Sequence, residues 1–122
     1  MTQTLSVRQL RLLQAKNMKE SGRNGLQEQV RILFRDSQYD WLYYHTHRSQ
    51  YRPAGFPDVF AIRISPSVRI VIAECKTQAG KVTTKQQLWL DTMKHAMPAA
   101  EVYVWRPMGL LNGTIRSIIE AR

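Results

Sequence analysis

The chain has 122 residues, enough for one domain around one core and too few for two ordinary ones. Hydrophobic residues make up 43% and charged residues 22%, so a core can be filled, yet no apolar run is long enough to cross a bilayer. Eighteen Lys and Arg against nine Asp and Glu leave a formal charge of +9, which favours a polyanionic partner; a membrane surface is disfavoured because no basic amphipathic helix carries bulky aromatics.

The first residues, Met1-Thr2-Gln3-Thr4-Leu5-Ser6, lack the basic-then-apolar layout of a signal peptide, and the single cysteine, Cys75, cannot form an internal disulfide. A reducing cytoplasm is the expected location. Residues 5–18 are predicted helical, with Leu10, Leu13 and Met18 on one side. The polar stretch 19–25, with Gly22 and Gly25, breaks that helix or forms a linker. We therefore expect residues 1–25 to be an N-terminal helix and linker, ahead of a domain spanning 26–122. A second helix is predicted from about 26 to 37, with Leu26, Val30, Leu33 and Phe34 as its apolar stripe.

The aromatic-rich run 41–46 predicts a strand, and 47–56 a polar loop. Residues 59–64 form the next predicted strand and Ser65-Pro66-Ser67 a turn. Residues 69–76 are the most strand-like of the chain; their nearly continuous apolar body places them at the centre of a sheet. After a loop at 78–81, Thr83 or Thr84 caps a helix running to about residue 97, each with a Gln three positions on. A final strand at 101–105 is stopped by Pro107, and 114–121 predicts a short helix with Ile115, Ile118 and Ile119 inward. The order helix, helix, three strands, helix, strand, helix implies an α/β fold, a mixed sheet of about four strands flanked by helices.

Polar residues interrupt or flank these apolar runs at Asp58, at Glu74-Cys75-Lys76 and at Gln86, which opens the helix after the loop. Strand alternation puts Glu74 and Lys76 on one face, and Asp58 lies at the entrance to the preceding strand, where hairpin pairing brings it beside Glu74. Two carboxylates so placed repel each other without a cation, and their hard oxygens suit Mg²⁺ or Mn²⁺. Lys76 facing the same cleft can orient the attacking water and balance charge on phosphate oxygens. Either motif alone is more often a charged strand end or an ordinary turn; their conjunction on adjacent strands points to phosphodiester hydrolysis. His45 and His47 alternate along one strand face, but one Cys and no second His pair leave a zinc site unsupported. Arg48, Arg52, Lys81 and Lys85 are candidate nucleic-acid contacts, the two lysines aided by the positive end of their helix.

Gly55-Phe56-Pro57-Asp58, Glu74-Cys75-Lys76-Thr77, Gly80-Lys81-Val82-Thr83 and Gln86-Gln87-Leu88-Trp89-Leu90, in that order, resemble the VRR-NUC branch of the PD-(D/E)XK nucleases. The likeness runs from about residue 26 to 107. It implies a restriction-endonuclease-like fold, Asp58 and Glu74 as metal ligands, Lys76 as the catalytic lysine and Gln86 as a supporting residue. It also implies Mg²⁺ or Mn²⁺ as cofactor and DNA, branched or as a Holliday junction, as substrate. Such nucleases often add an acid from the first core helix; Glu28 is the nearest candidate here, although it is offset from the Leu26–Val30–Leu33 stripe. A junction-cutting enzyme is expected to be a homodimer, with the Leu10, Leu13 and Met18 stripe as interface material. The rival expectation is a non-catalytic DNA-binding module using the same basic face.

Overall fold

A computed structural model describes residues 4–44 and 52–122. Helix α1 (Val7–Asn17) opens with a reciprocal cap, in which the Gln9 backbone N–H donates to Ser6 Oγ and the Ser6 N–H donates to Gln9 Oε1. Helix α2 (Leu26–Arg35) buries Leu26, Val30 and Phe34, spaced by four, on one stripe. Strands β1 (Leu42–Tyr44), β2 (Val59–Arg63) and β3 (Arg69–Cys75) follow, then α3 (Thr84–Ala96), β4 (Ala100–Trp105), α4 (Pro107–Leu111) and α5 (Thr114–Glu120).

The sheet order is β1-β2-β3-β4, antiparallel at the first two pairings and parallel between β3 and β4. The expected mixed α/β fold of four strands is therefore the observed one. β3 lies inside the sheet and is buried along nearly its whole length, as its apolar run requires. The parallel pairing needs a crossover, which α3 provides.

Alternation along the strands divides the interior into two layers. Val59, Ala61, Val71, Ala73, Cys75 and Trp105 face α2 and α5, where Phe34, Ile115 and Ile119 pack on them. Ile72 faces the other way, toward Leu90 and Met93 of α3, with Phe60, Ile70 and Val102 around it. Each fully buried Val, Ile, Leu or Phe side chain among them contributes about 1.5–3 kcal/mol relative to leaving it in water. One end of the sheet is closed by two buried arginines opposite each other in register, Arg63 and Arg69. Arg69 makes a two-pronged pair with Glu101 at 2.7 Å and donates to the carbonyls of Ile118 and Ala121, tying the end of α5 to the strands. Arg63 donates to the Ala121 carbonyl and lies over the Tyr39 ring. The candidate residues lie at the opposite end.

Two elements depart from expectation. Pro107 stops β4, but it also starts α4 at the first helical position, where its missing N–H costs nothing. On α1, Met18 packs against the core, whereas Leu10 and Leu13 are exposed. At about 100° per residue, Leu10 and Leu13 lie nearly opposite the buried Ala15, so the three apolar residues do not form one stripe. No helix among the described residues is long and apolar enough to cross a membrane.

Candidate active site

The β2–β3 register pairs Val59 with Ala73, which sets Asp58 beside Glu74 at the end of the hairpin. Asp58 Oδ2 accepts the backbone N–H of Cys75 at 2.9 Å, and its Oδ1 accepts from Arg52 Nη2 at 2.9 Å. Glu74 is only 2% exposed. Its Oε1 accepts from Gln86 Nε2 at 3.0 Å, while its Oε2 is buried with no hydrogen-bond partner. Lys76, two residues on and 7% exposed, shares the Glu74 face, and its N–H donates to the Trp105 carbonyl, prolonging the β3–β4 ladder.

Gln86 does two things at once. Its Oε1 accepts the Thr83 N–H in the α3 capping box while its amide nitrogen reaches Glu74. The cap that starts the helix thus also aims the helix's positive end at the carboxylates. Arg106 holds the loop between β3 and α3 by donating to the carbonyls of Thr77 at 2.8 Å and Gly80 at 2.6 Å.

A third carboxylate arrives from the segment between α1 and α2. The Leu26 and Gln27 N–H groups donate to the carbonyls of Lys19 and Glu20, and Gly25 N–H donates to Gly22, so the chain folds back over the first turn of α2. Glu20 is thereby brought to Asp58 and Glu74, each offering an oxygen within 4.8 Å of the others. Burial pushes the Glu74 carboxyl up to about 9, reinforced by the facing Asp58 carboxylate and opposed by Lys76. Burial also raises Glu20, with Lys76 opposing and Asp58 adding to the rise. Three carboxylates, one with an orphaned buried oxygen, fit a cation better than they fit one another. The group can hold a metal ion.

The loop before Asp58 is clamped to α3. Trp89 Nε1 donates to the Ala54 carbonyl at 3.2 Å, and the Phe56 ring meets the Trp89 ring edge-on at 5.2 Å. Gly55 between them has φ +84°, and a Cβ there would lie 2.8 Å from the Lys85 backbone carbonyl carbon. Gly55→Ala is expected to destabilise the fold by about 2 kcal/mol through the left-handed backbone and the collision. Chemical denaturation checks it; an unchanged midpoint would mean the loop is not clamped.

Asp58, Glu74, Lys76 and Gln86 are brought together as the sequence leads one to expect. Arg52 joins them as the partner of Asp58, whereas Lys81 and Lys85 are exposed near the start of α3. Glu28 is not in the group: it lies on α2 and pairs with Arg31 at 2.7 Å. The position expected for it is taken by Glu20. Arg48, His45 and His47 lie outside the described residues. Sequence reasoning missed Glu20 and Arg106. The only local signal for Glu20 was an acid just ahead of a Gly22–Gly25 turn, in a stretch that reads equally well as a linker. The chain matches no family model, no curated protein and no solved structure with which it was compared.

Proposed function

We propose that the protein is a deoxyribonuclease that depends on Mg²⁺ or Mn²⁺ and cuts branched DNA, such as a Holliday junction, in replication, recombination or repair. The observation that carries this reading is the buried, unpartnered Glu74 Oε2 among Asp58 and Glu20, with Lys76 on the same face. All-oxygen donors favour hard divalent cations, and Glu20, Asp58 and Glu74 would hold one. When bound, the ion supplies Lewis acidity and a lowered water pKa. Lys76 offsets charge on the phosphate oxygens and helps orient the water, while Gln86 fixes the Glu74 carboxylate. The water oxygen bonds to phosphorus as the P–O3′ bond breaks, leaving 5′-phosphate and 3′-hydroxyl ends, the outcome that the VRR-NUC resemblance implies. The free, buried Cys75 suits a reducing, cytoplasmic setting.

The exposed Leu10 and Leu13 face of α1 supports a homodimer, since two-fold pairing is the simplest way to place two cuts on opposing strands. The test is purified protein with Mg²⁺ or Mn²⁺ against linear duplex, single strand, flap and four-way junction, with strand-specific end labels and light scattering. Paired nicks by a dimer support the full reading. A monomer that trims ends overturns junction resolution, and binding without cutting in either metal leaves a basic DNA-binding module.

The +9 charge sets a further expectation. Affinity for duplex should fall with salt at a log–log slope of about −0.9 per phosphate neutralised. Arg52 is engaged by Asp58, so the exposed Lys81 and Lys85 are the residues to neutralise. Their double change to Gln should flatten the slope by about one to two while leaving metal affinity intact. Fluorescence anisotropy across a salt series measures it; a salt-independent affinity would remove nucleic acid as the partner.

A further inference from the structure

Helix α3 covers only part of its face of the sheet. Leu90 and Met93 pack over Ile72 of β3, and Val102 of β4 lies beside them. On the β1–β2 side the register pairs Leu42 with Ile62 and Tyr44 with Phe60, while Phe60 pairs with Ile72. These side chains therefore share the face that carries Glu74 and Lys76. Leu42, Tyr44, Phe60 and Ile62, with Phe56 and Arg52, line an open groove of about 570 Å³, within the roughly 300–1,000 Å³ usual for small-molecule sites. Leu42 is 71% exposed and Tyr44 48%, an unusual display of apolar and aromatic surface for one strand.

The groove is continuous with the candidate active site. Arg52 lines it and also donates to Asp58, and Phe56 lines it two residues before Asp58. Tyr44 meets Phe56 edge-on at 6.5 Å, and Phe56 meets Trp89 edge-on at 5.2 Å. The groove thus offers an apolar, aromatic surface that ends beside the Arg52–Asp58 pair at the candidate metal group, in a chain of charge +9. An occupant that lies on the aromatic surface while a phosphodiester sits at the carboxylate group has a planar ring joined to that phosphodiester. We infer that this groove takes an unpaired nucleobase next to the phosphodiester being cut, so that the branched substrate presents an unpaired, unstacked base at its branch point. A base inside a duplex stack cannot reach it, whereas an unstacked base can lie on an aromatic ring whatever its sequence.

This inference rests on the nuclease reading, so it is tested without turnover. The full chain is titrated in EDTA with a labelled single-stranded oligodeoxynucleotide, the same strand as a fully abasic sugar–phosphate chain, and a blunt duplex. Tyr44→Ala is expected to weaken binding of the base-bearing strand about ten-fold, with duplex binding unchanged and Tyr44→Phe restoring the affinity. A 2-aminopurine in the strand should be quenched by the native protein and by Tyr44→Phe, but less so by Tyr44→Ala. Should Tyr44→Ala fail to fold, Leu42→Asp at the outer end of the groove serves as the second variant, with the same expected loss. Equal affinity for abasic and base-bearing strands overturns the groove assignment. So does a variant that changes only self-association, which would make a second copy the occupant. Native protein that cuts DNA with Mg²⁺ but binds bases indifferently sinks this inference alone; protein that binds no DNA sinks both.

Discussion

Lys76→Met is expected to lower the DNA cleavage rate at least about a thousand-fold without weakening divalent-cation binding. Lys76 is nearly buried on the Glu74 face, and its charge opposes the rise of both Glu20 and Glu74, so its ammonium acts on the carboxylate group. Met preserves the packed stem, and removing a positive charge from beside three carboxylates does not discourage a cation. Asp58→Asn and Glu74→Gln should abolish cleavage and weaken metal binding together, because each removes ligand charge. Asn is the better change at Asp58, since an amide oxygen still accepts the Cys75 N–H. Ala there would leave that N–H unsatisfied, at about 1–3 kcal/mol. Single-turnover cleavage beside metal titration separates the two classes. If all these variants cut at the native rate, the residues have been assigned wrongly.

The metal-free protein is expected to lose stability as pH rises from about 5 to 9, with a fall in Tm of at least about 5 °C. The Glu74 carboxyl is raised from its usual range to about 9 in the fold, so the folded state holds this proton more tightly than the unfolded chain does. The stability this contributes is fully present below the unfolded value of 4.5 and is lost as pH climbs through the folded one. Glu20, also raised, acts in the same direction. Glu101 acts oppositely: its hydrogen bond with Arg69 lowers it, so its contribution is lost only in acid, outside this window. Glu74→Gln should flatten the profile between pH 5 and 9, and saturating Mg²⁺ should restore stability at the alkaline end. Thermal melts across pH, with and without metal, read this directly; a flat metal-free profile would mean that Glu74 is not held against its neighbours.

What was legible in the sequence follows from the range of each signal. The apolar run of β3 ends at Glu74-Cys75-Lys76, and one strand's alternation suffices to put Glu74 and Lys76 on one face. Thr83 and Gln86 form a capping box within a single turn, so the start of α3 was readable locally. That the same Gln86 would bond Glu74 depended on the crossover, and the resemblance rather than the spacing pointed to it. Glu20 was not legible because its placement depends on backbone bonds that fold residues 19–25 over α2, while its neighbours Lys19 and Ser21 carry no periodicity. Glu28 drew attention instead because it lies on a helix, yet a helix acid three residues before an arginine is satisfied where it stands. Pro107 shows a different limit, because a residue that forbids a strand also favours a helix start, and the sequence does not say which property is used.

The central claim is that Glu20, Asp58 and Glu74 together hold one divalent cation. Calorimetric titration of Mn²⁺ into the native protein, Glu20→Gln and Glu28→Gln measures it most directly. The account predicts one site in the native protein, at least about ten-fold weaker binding for Glu20→Gln, and native binding for Glu28→Gln. Binding that ignores Glu20 and is lost with Glu28, or no Mn²⁺ binding by the native protein, would contradict it.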